Sequence, residues 1–144
     1  MEKNVTSDLF ELFNTVREKV SANDHLRHVG RYCNTELLLQ SGEQSVHLVI
    51  ERGHIAEVVQ GPLRMRAWQF ALRAQPQTWN EFWQAVPAVG FNDIFAMSRH
   101  GHLSIDGDIG PLLEHLRYIK EVLAMPRQIL NPRKVDVTAT GATA

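Results

Sequence analysis

The chain has 144 residues, the length of one ordinary domain, and its 44% hydrophobic and 22% charged residues are globular proportions. Fifteen basic against sixteen acidic side chains leave a formal charge of -1, which excludes a global field drawing in nucleic acid or an anionic membrane. A lone cysteine, Cys33, excludes a disulfide-stapled scaffold. No apolar run approaches the roughly 18 residues of a bilayer span, and the opening Met-Glu-Lys-Asn lacks a signal-peptide core, so a cytoplasmic domain is expected.

Leu9, Leu12, Phe13, Val16 and Val20 recur at the spacing of one helical face, and Asp8 with Glu11 has the spacing of a capping box. These predict a helix from Ser7 to Ala22, followed by a polar stretch through Asn23, Asp24 and His25. From Asn34 the hydrophobic period falls to 2. Strands are predicted over Thr35 to Gln40, Val46 to Glu51, Ile55 to Val59 and Arg66 to Leu72, punctuated by Ser41-Gly42, Arg52-Gly53 and Gly61-Pro62. Joined by short turns, these four read as an antiparallel meander.

Helical signals return after Pro76, where Thr78 with Glu81 has capping-box spacing and Trp79, Phe82, Trp83 and Val86 form an aromatic stripe. Pro87 and Gly90 interrupt it, and Phe91, Ile94 and Phe95 continue in a short helix capped by Asn92 or a neighbour. A fifth strand, His102 to Asp106, ends at Gly107. The last helix is capped by Asp108, lined by Ile109, Leu112, Leu113, Leu116, Ile119 and Leu123, and stopped by Pro126. The predicted fold class is α+β: a five-stranded, mostly antiparallel but mixed sheet with helices packed on one face. The mixing is expected at the last strand, which follows a helical crossover. The domain is taken as residues 1–130, and the Thr-, Ala- and Gly-rich residues 131–144 as a C-terminal tail.

Motifs for chemistry are sparse. His100 and His102 share a strand face near Asp106 and Asp108, but a metal site needs three or four converging ligands, so none is expected. His25 and His28 fit a helix end, and His47 and His54 read as solvent-facing strand residues. Cys33 reads as a small half-buried residue rather than a nucleophile. Glu51 and Glu57 would pair only across a solvated sheet face. Arg64, Arg66 and Arg73 around Trp68 have the form of a nucleic-acid platform, or of a fork for a carboxylate or phosphate. The balanced charge favours ordinary surface arginines. The expectation is therefore a non-enzyme without cofactor.

The unusual feature is the crowding of Trp79, Phe82, Trp83, Phe91 and Phe95 into two short, interrupted helices. Aromatic residues dominate cores, but weakly tied helices also line apolar ligand cavities.

With these elements in order, the chain resembles the sterol carrier protein family of the non-specific lipid-transfer type, over residues 5 to 125. The most specific match is Gly101-His102-Leu103-Ser104-Ile105-Asp106-Gly107-Asp108, which is similar to the family's final strand and its Gly-Asp entry into the last helix. Trp79 to Phe95 looks like the helical insertion before that strand, Asn34 to Leu72 like the strand meander, and Leu9 to Val20 like the first helix. The resemblance implies a hydrophobic cavity between sheet and helices, binding sterols, fatty acyl chains or other lipids without covalent chemistry. Its walls would be Trp79, Phe82, Trp83, Phe91, Ile94, Phe95, Leu112, Leu116 and Ile119. Related domains also serve as accessory parts of larger enzymes and in ubiquinone biosynthesis factors. The closing Gly-Ala-Thr-Ala differs from a peroxisomal Ser-Lys-Leu, in keeping with a cytoplasmic expectation. The alternative is an interaction module with a closed core, docking on itself as a homodimer or on a partner enzyme.

Overall fold

The computed structural model describes residues 8–61 and 67–131. The first helix, α1 (Leu9–Ser21), forms where the spacing places it and buries Leu9, Leu12, Phe13, Val16 and Val20. Asp8 caps it, its carboxylate accepting the Glu11 N–H at 3.1 Å. A second helix, α2 (Asp24–Val29), occupies the predicted polar stretch. Its periodicity is too short to read, but the Asn23 side chain accepts the Leu26 N–H at 3.0 Å and Leu26 is fully buried. One cap and one anchored leucine suffice.

The sheet consists of β1 (Asn34–Ser41), β2 (Gln44–Glu51), β3 (His54–Gln60), β4 (Phe70–Ala74) and β5 (Leu103–Gly107), in the order β3-β2-β1-β4-β5. It is mixed and mostly antiparallel, as predicted, but the parallel pair lies elsewhere. β5 is antiparallel to β4, whereas β4 runs parallel to β1, with Leu37 opposite Phe70 and Leu39 opposite Leu72. Only β1, β2 and β3 form the meander. β3 pairs with β2 and β4 with β1, so these two consecutive strands lie on opposite sides of the central β1–β2 pair. Period-2 alternation specifies which face a residue occupies, not which neighbour it pairs with or in which direction.

Leu37, Leu39, Leu48, Ile50, Phe70 and Leu72 of the inner face share one core with Phe13 and Val16 of α1 and with the helices that follow. Those helices are α3 (Pro76–Phe82), α4 (Ile94–Arg99), α5 (Gly110–Glu114) and α6 (Leu116–Leu130). Each departs from its predicted limits for a local reason. Pro76 starts α3 rather than preceding it, since a first-turn proline loses no helical hydrogen bond; Thr78 lies inside the helix and Gln75 at its N-cap. α3 ends at Phe82, and Val86, which precedes Pro87, leaves the stripe and stands 79% exposed. α4 is capped by Asp93, whose carboxylate accepts the Ala96 N–H at 3.2 Å. The last helix is broken at His115, where φ is -120 and ψ is 38, and Pro126 sits buried inside α6 instead of ending it. Asp108 still serves this entry, accepting the Gly110 N–H at 2.9 Å one residue before the formal cap, Ile109.

The β2–β3 hairpin turns on Arg52 and Gly53, both with positive φ (53 and 81), the geometry of a tight primed turn. A Cβ at Gly53 would lie 2.6 Å from the Arg27 carbonyl oxygen and 3.0 Å from the Gly30 carbonyl, both backbone atoms that cannot swing aside. Gly53→Ala is expected to destabilise the fold by about 1–3 kcal/mol, read as a lowered urea midpoint at unchanged slope.

Candidate functional site

Between the inner face of the sheet and α6 stands an aromatic cluster built on α3. The Trp79 and Trp83 rings stack at 5.2 Å with planes 24° apart. Phe82 meets Trp79 edge-on at 5.9 Å, and Phe13 of α1 meets Trp83 at 6.0 Å. An indole buried in apolar surroundings must donate its N–H. Trp79 Nε1 donates to the Gln40 carbonyl of β1, and Trp83 Nε1 donates to the Leu123 carbonyl of α6, each at 2.9 Å. The end of α3 is tied further to α6. Arg127 donates to the Phe82 carbonyl from Nε at 3.2 Å and Nη2 at 2.6 Å, and Asn131 Nδ2 donates to the Trp83 carbonyl at 3.1 Å. Burial pushes the Arg127 guanidinium below its usual range, and the guanidinium lies 5.1 Å from the Phe82 ring centre.

Beside this cluster a cleft of about 190 Å³ opens between the start of α4 and α6, lined by Phe82, Asn92, Asp93, Ile94, Lys120, Glu121, Leu123 and Ala124. Its floor is apolar and its rim polar. At the rim Lys120 Nζ sits 2.7 Å from the Asp93 carboxylate, fastening the cap of α4 to α6. Partial burial pushes the Asp93 carboxyl upward, but the Lys120 hydrogen bond and charge, with the Ala96 and Phe95 N–H groups, outweigh it and hold the carboxyl below its ordinary value.

Of the nine residues singled out in the sequence, Trp79, Phe82, Trp83, Ile94, Leu112 and Ile119 are buried in the core, while Phe91, Phe95 and Leu116 pack against it partly exposed. The cleft brings Phe82 and Ile94 together. Phe91 instead turns to His102, stacking at 4.7 Å. Asp93, Lys120, Leu123 and Ala124 were not anticipated at the site. Leu123 lay on the predicted helical stripe, and Asp93 immediately before Ile94 is a readable cap, but no local signal announces the Lys120 contact.

The remaining candidates resolve as follows. His47 is fully buried rather than solvent-facing, because it sits at the centre of the outer sheet face, opposite Leu38 and Val59; its Nε2 is 2.8 Å from the Glu36 carboxylate. His54 is exposed as predicted. Glu51 lies opposite His54 and Glu57 opposite Val49, so the two carboxylates are not cross-strand partners. The His100 and His102 rings are 6.4 Å apart, and among the described residues no group of three or more candidate ligands converges. Cys33 is fully buried, and burial, with the Glu114 charge, pushes its thiol to about 12, so it is unreactive near neutrality. Arg73 is held at 2.9 Å by Asp106 and 2.5 Å by Gln40, 5.4 Å from the Trp68 ring centre. Arg64 and Arg66 of the predicted basic cluster, and the tail from residue 132 onward, lie outside the described residues. A groove of about 970 Å³ on the outer face is lined by Glu36, Val49, Glu51, His54, Trp68 and neighbours, and is mixed in polarity. Among the described residues no helix is long and apolar enough to cross a membrane.

No family sequence model and no curated protein match the chain. Solved structures do. The chain is similar to sterol carrier protein 2, with a TM-score of 0.68 at 16% identity over 84% of this chain and 98% of that one. It is similar to a conserved hypothetical protein from Thermus thermophilus, possibly a sterol carrier protein, with a TM-score of 0.59 at 13% identity over 88% and 90%. It also resembles a UbiJ-SCP2 ubiquinone synthesis protein, with a TM-score of 0.53 at 16% identity over 85% and 90%. At these identities the likeness establishes the fold, an SCP2-like α+β domain.

Asp93→Asn keeps the cap and removes the charge facing Lys120. Because the folded carboxyl titrates below its unfolded value of about 3.9, its contribution is full above that pH and disappears as the pH falls through the lower folded value. Urea midpoints should place the variant below the wild type by no more than about 1 kcal/mol at pH 7, with the gap closing in acid.

Proposed function

We propose that this protein binds a lipid or other hydrophobic molecule, without covalent chemistry, between the sheet and the helical wall of α3, α4 and α6. The observation that carries the reading is the agreement of the whole fold with a protein named for carrying sterols, spanning 98% of that chain. The apolar cleft lined by Phe82, Ile94, Leu123 and Ala124 supports it, since its opening lies on the proposed wall. Trp79, Trp83, Phe91, Phe95, Leu112, Leu116 and Ile119 are the proposed remainder of the lining.

At about 190 Å³ the cleft is smaller than the roughly 300 Å³ at which ordinary ligand sites begin, so in this state it accepts the end of a chain. Deeper entry requires α3 and α4 to separate from α6. They are short, and the residues between Trp83 and Asp93 form no regular element, so this wall opens at lower cost than the sheet. Each methylene drawn from water contributes about 0.8 kcal/mol, so a dozen give near 10 kcal/mol, from which opening and association costs are subtracted. Apolar burial alone supplies the affinity, and the proposed role is binding rather than catalysis.

Ala124 faces the cleft from α6, and a larger side chain there would occupy it. A fluorescent fatty acid titrated against purified protein should bind, and Ala124→Phe should weaken it at least about tenfold, or ~1.4 kcal/mol. Absence of saturable binding in the wild type, with no lipid recovered by organic extraction and mass spectrometry, would contradict the proposal.

A further inference from the structure

From Phe82 to Asn92 the chain reads Phe-Trp-Gln-Ala-Val-Pro-Ala-Val-Gly-Phe-Asn, without one charged side chain. The run is anchored at both ends, by Phe82 and Trp83 in the core and, just beyond Asn92, by buried Ile94. Its middle is turned outward. Val89 is 99% exposed, Val86 79%, and Ala88 is exposed beside them. Single exposed apolar residues need no explanation, but two valines with Pro87 and Ala88 on one uncharged loop form a concentrated apolar tip.

The tip is also shaped. The Phe91 N–H donates to the Ala88 carbonyl at 3.0 Å, closing a turn with Val89 at its corner and Gly90 at φ 91, the left-handed position that such a turn reserves for glycine. Phe91 is held from below by the His102 ring at 4.7 Å. Val89 is therefore presented outward by a fixed turn whose base is anchored.

We propose that the Ala85–Gly90 loop docks on a lipid bilayer, inserting Val86 and Val89 shallowly among the acyl chains at the interface. Two valines, an alanine and a proline fall far short of the roughly 800 Å² that each partner contributes to a stable protein interface, whereas shallow, reversible insertion asks for no more than this. Charge selects the kind of membrane. The loop is neutral, the carboxylates of the adjoining cleft are paired (Asp93 with Lys120 at 2.7 Å, Glu121 with Arg117 at 3.8 Å), and the chain carries -1 overall, so the fit is to a zwitterionic surface. The same loop joins Phe82 to Ile94 across the cleft, placing the docked surface beside the opening. Docking does not require the ligand reading to hold.

Flotation with phosphatidylcholine vesicles tests it. The wild type should float with little dependence on salt, and Val86→Ser/Val89→Ser should float at least about tenfold less while keeping the wild-type affinity for a soluble fluorescent fatty acid. Because Cys33 is buried and its thiol unreactive, Val89→Cys and Tyr32→Cys accept an environment-sensitive dye selectively. Vesicles should shift the emission to the blue at position 89 and leave it unchanged at position 32. Equal flotation of wild type and double variant, binding that collapses with salt, an unshifted dye at position 89, or a dimer in solution that the double variant abolishes would each overturn the proposal. A wild type that binds the fatty acid yet leaves vesicles alone refutes docking only; one that floats yet takes no fatty acid refutes the ligand reading only.

Discussion

Two indole N–H groups set the spacing of this structure. A tryptophan buried among apolar side chains stays there only if its one donor finds an acceptor, and Trp79 and Trp83 find theirs on opposite sides. Trp79 reaches back to the Gln40 carbonyl of β1, while Trp83 reaches forward to the Leu123 carbonyl of α6. Stacked on each other, the pair acts as a strut between sheet and final helix. Because both donors are directed at main-chain atoms, the strut fixes backbone to backbone, and the α4–α6 cleft opens beside its α6 end, where Leu123 belongs to both.

The strut is asymmetric in strength. On the sheet side it rests on a core of paired strands, with β1 hydrogen-bonded to β2 on one edge and to β4 on the other. On the α6 side Ile119, Val122 and Leu123 join the same core, and polar contacts from Arg127, Asn131 and the Lys120–Asp93 pair tie the short α3 and α4 to it. Contacts of this kind open first when a structure fluctuates. In the proposed reading, opening occurs in this helical wall, which carries the apolar loop at Val86 and Val89. A route from a lipid surface through this wall to the sheet is the common sense of the cleft and the loop taken together.

Much of this was legible in the sequence. The α1 face, the strand alternation, the Arg52-Gly53 turn and the aromatic stripe of α3 are local patterns, and local patterns survive into the fold. What was not legible is relational. Nothing in Phe70 and Leu72 says that they pair parallel with β1 rather than beside β3. Nothing in His47 says that it is fully buried on a central strand, between Leu38 of β1 and Val59 of β3. Pro126, expected to stop the last helix, lies buried inside α6, where tertiary packing outweighs the hydrogen bond it removes, whereas Pro76 takes the first turn of α3, where none is lost. At the site, the aromatic walls were visible as composition, but the rim of Asp93 and Lys120 joins residues from separate helices, and no spacing rule links them.

The central claim is that an apolar chain enters on the inner side of the sheet, at the α4–α6 cleft. Methyl NMR during titration with a soluble fatty acid reads this directly, because Ile94 and Leu123 line the cleft and Val49 lies on the outer-face groove. Saturable shifts at Ile94 and Leu123, with Val49 unmoved, are the predicted result; a silent cleft, or shifts at Val49 alone, would contradict it.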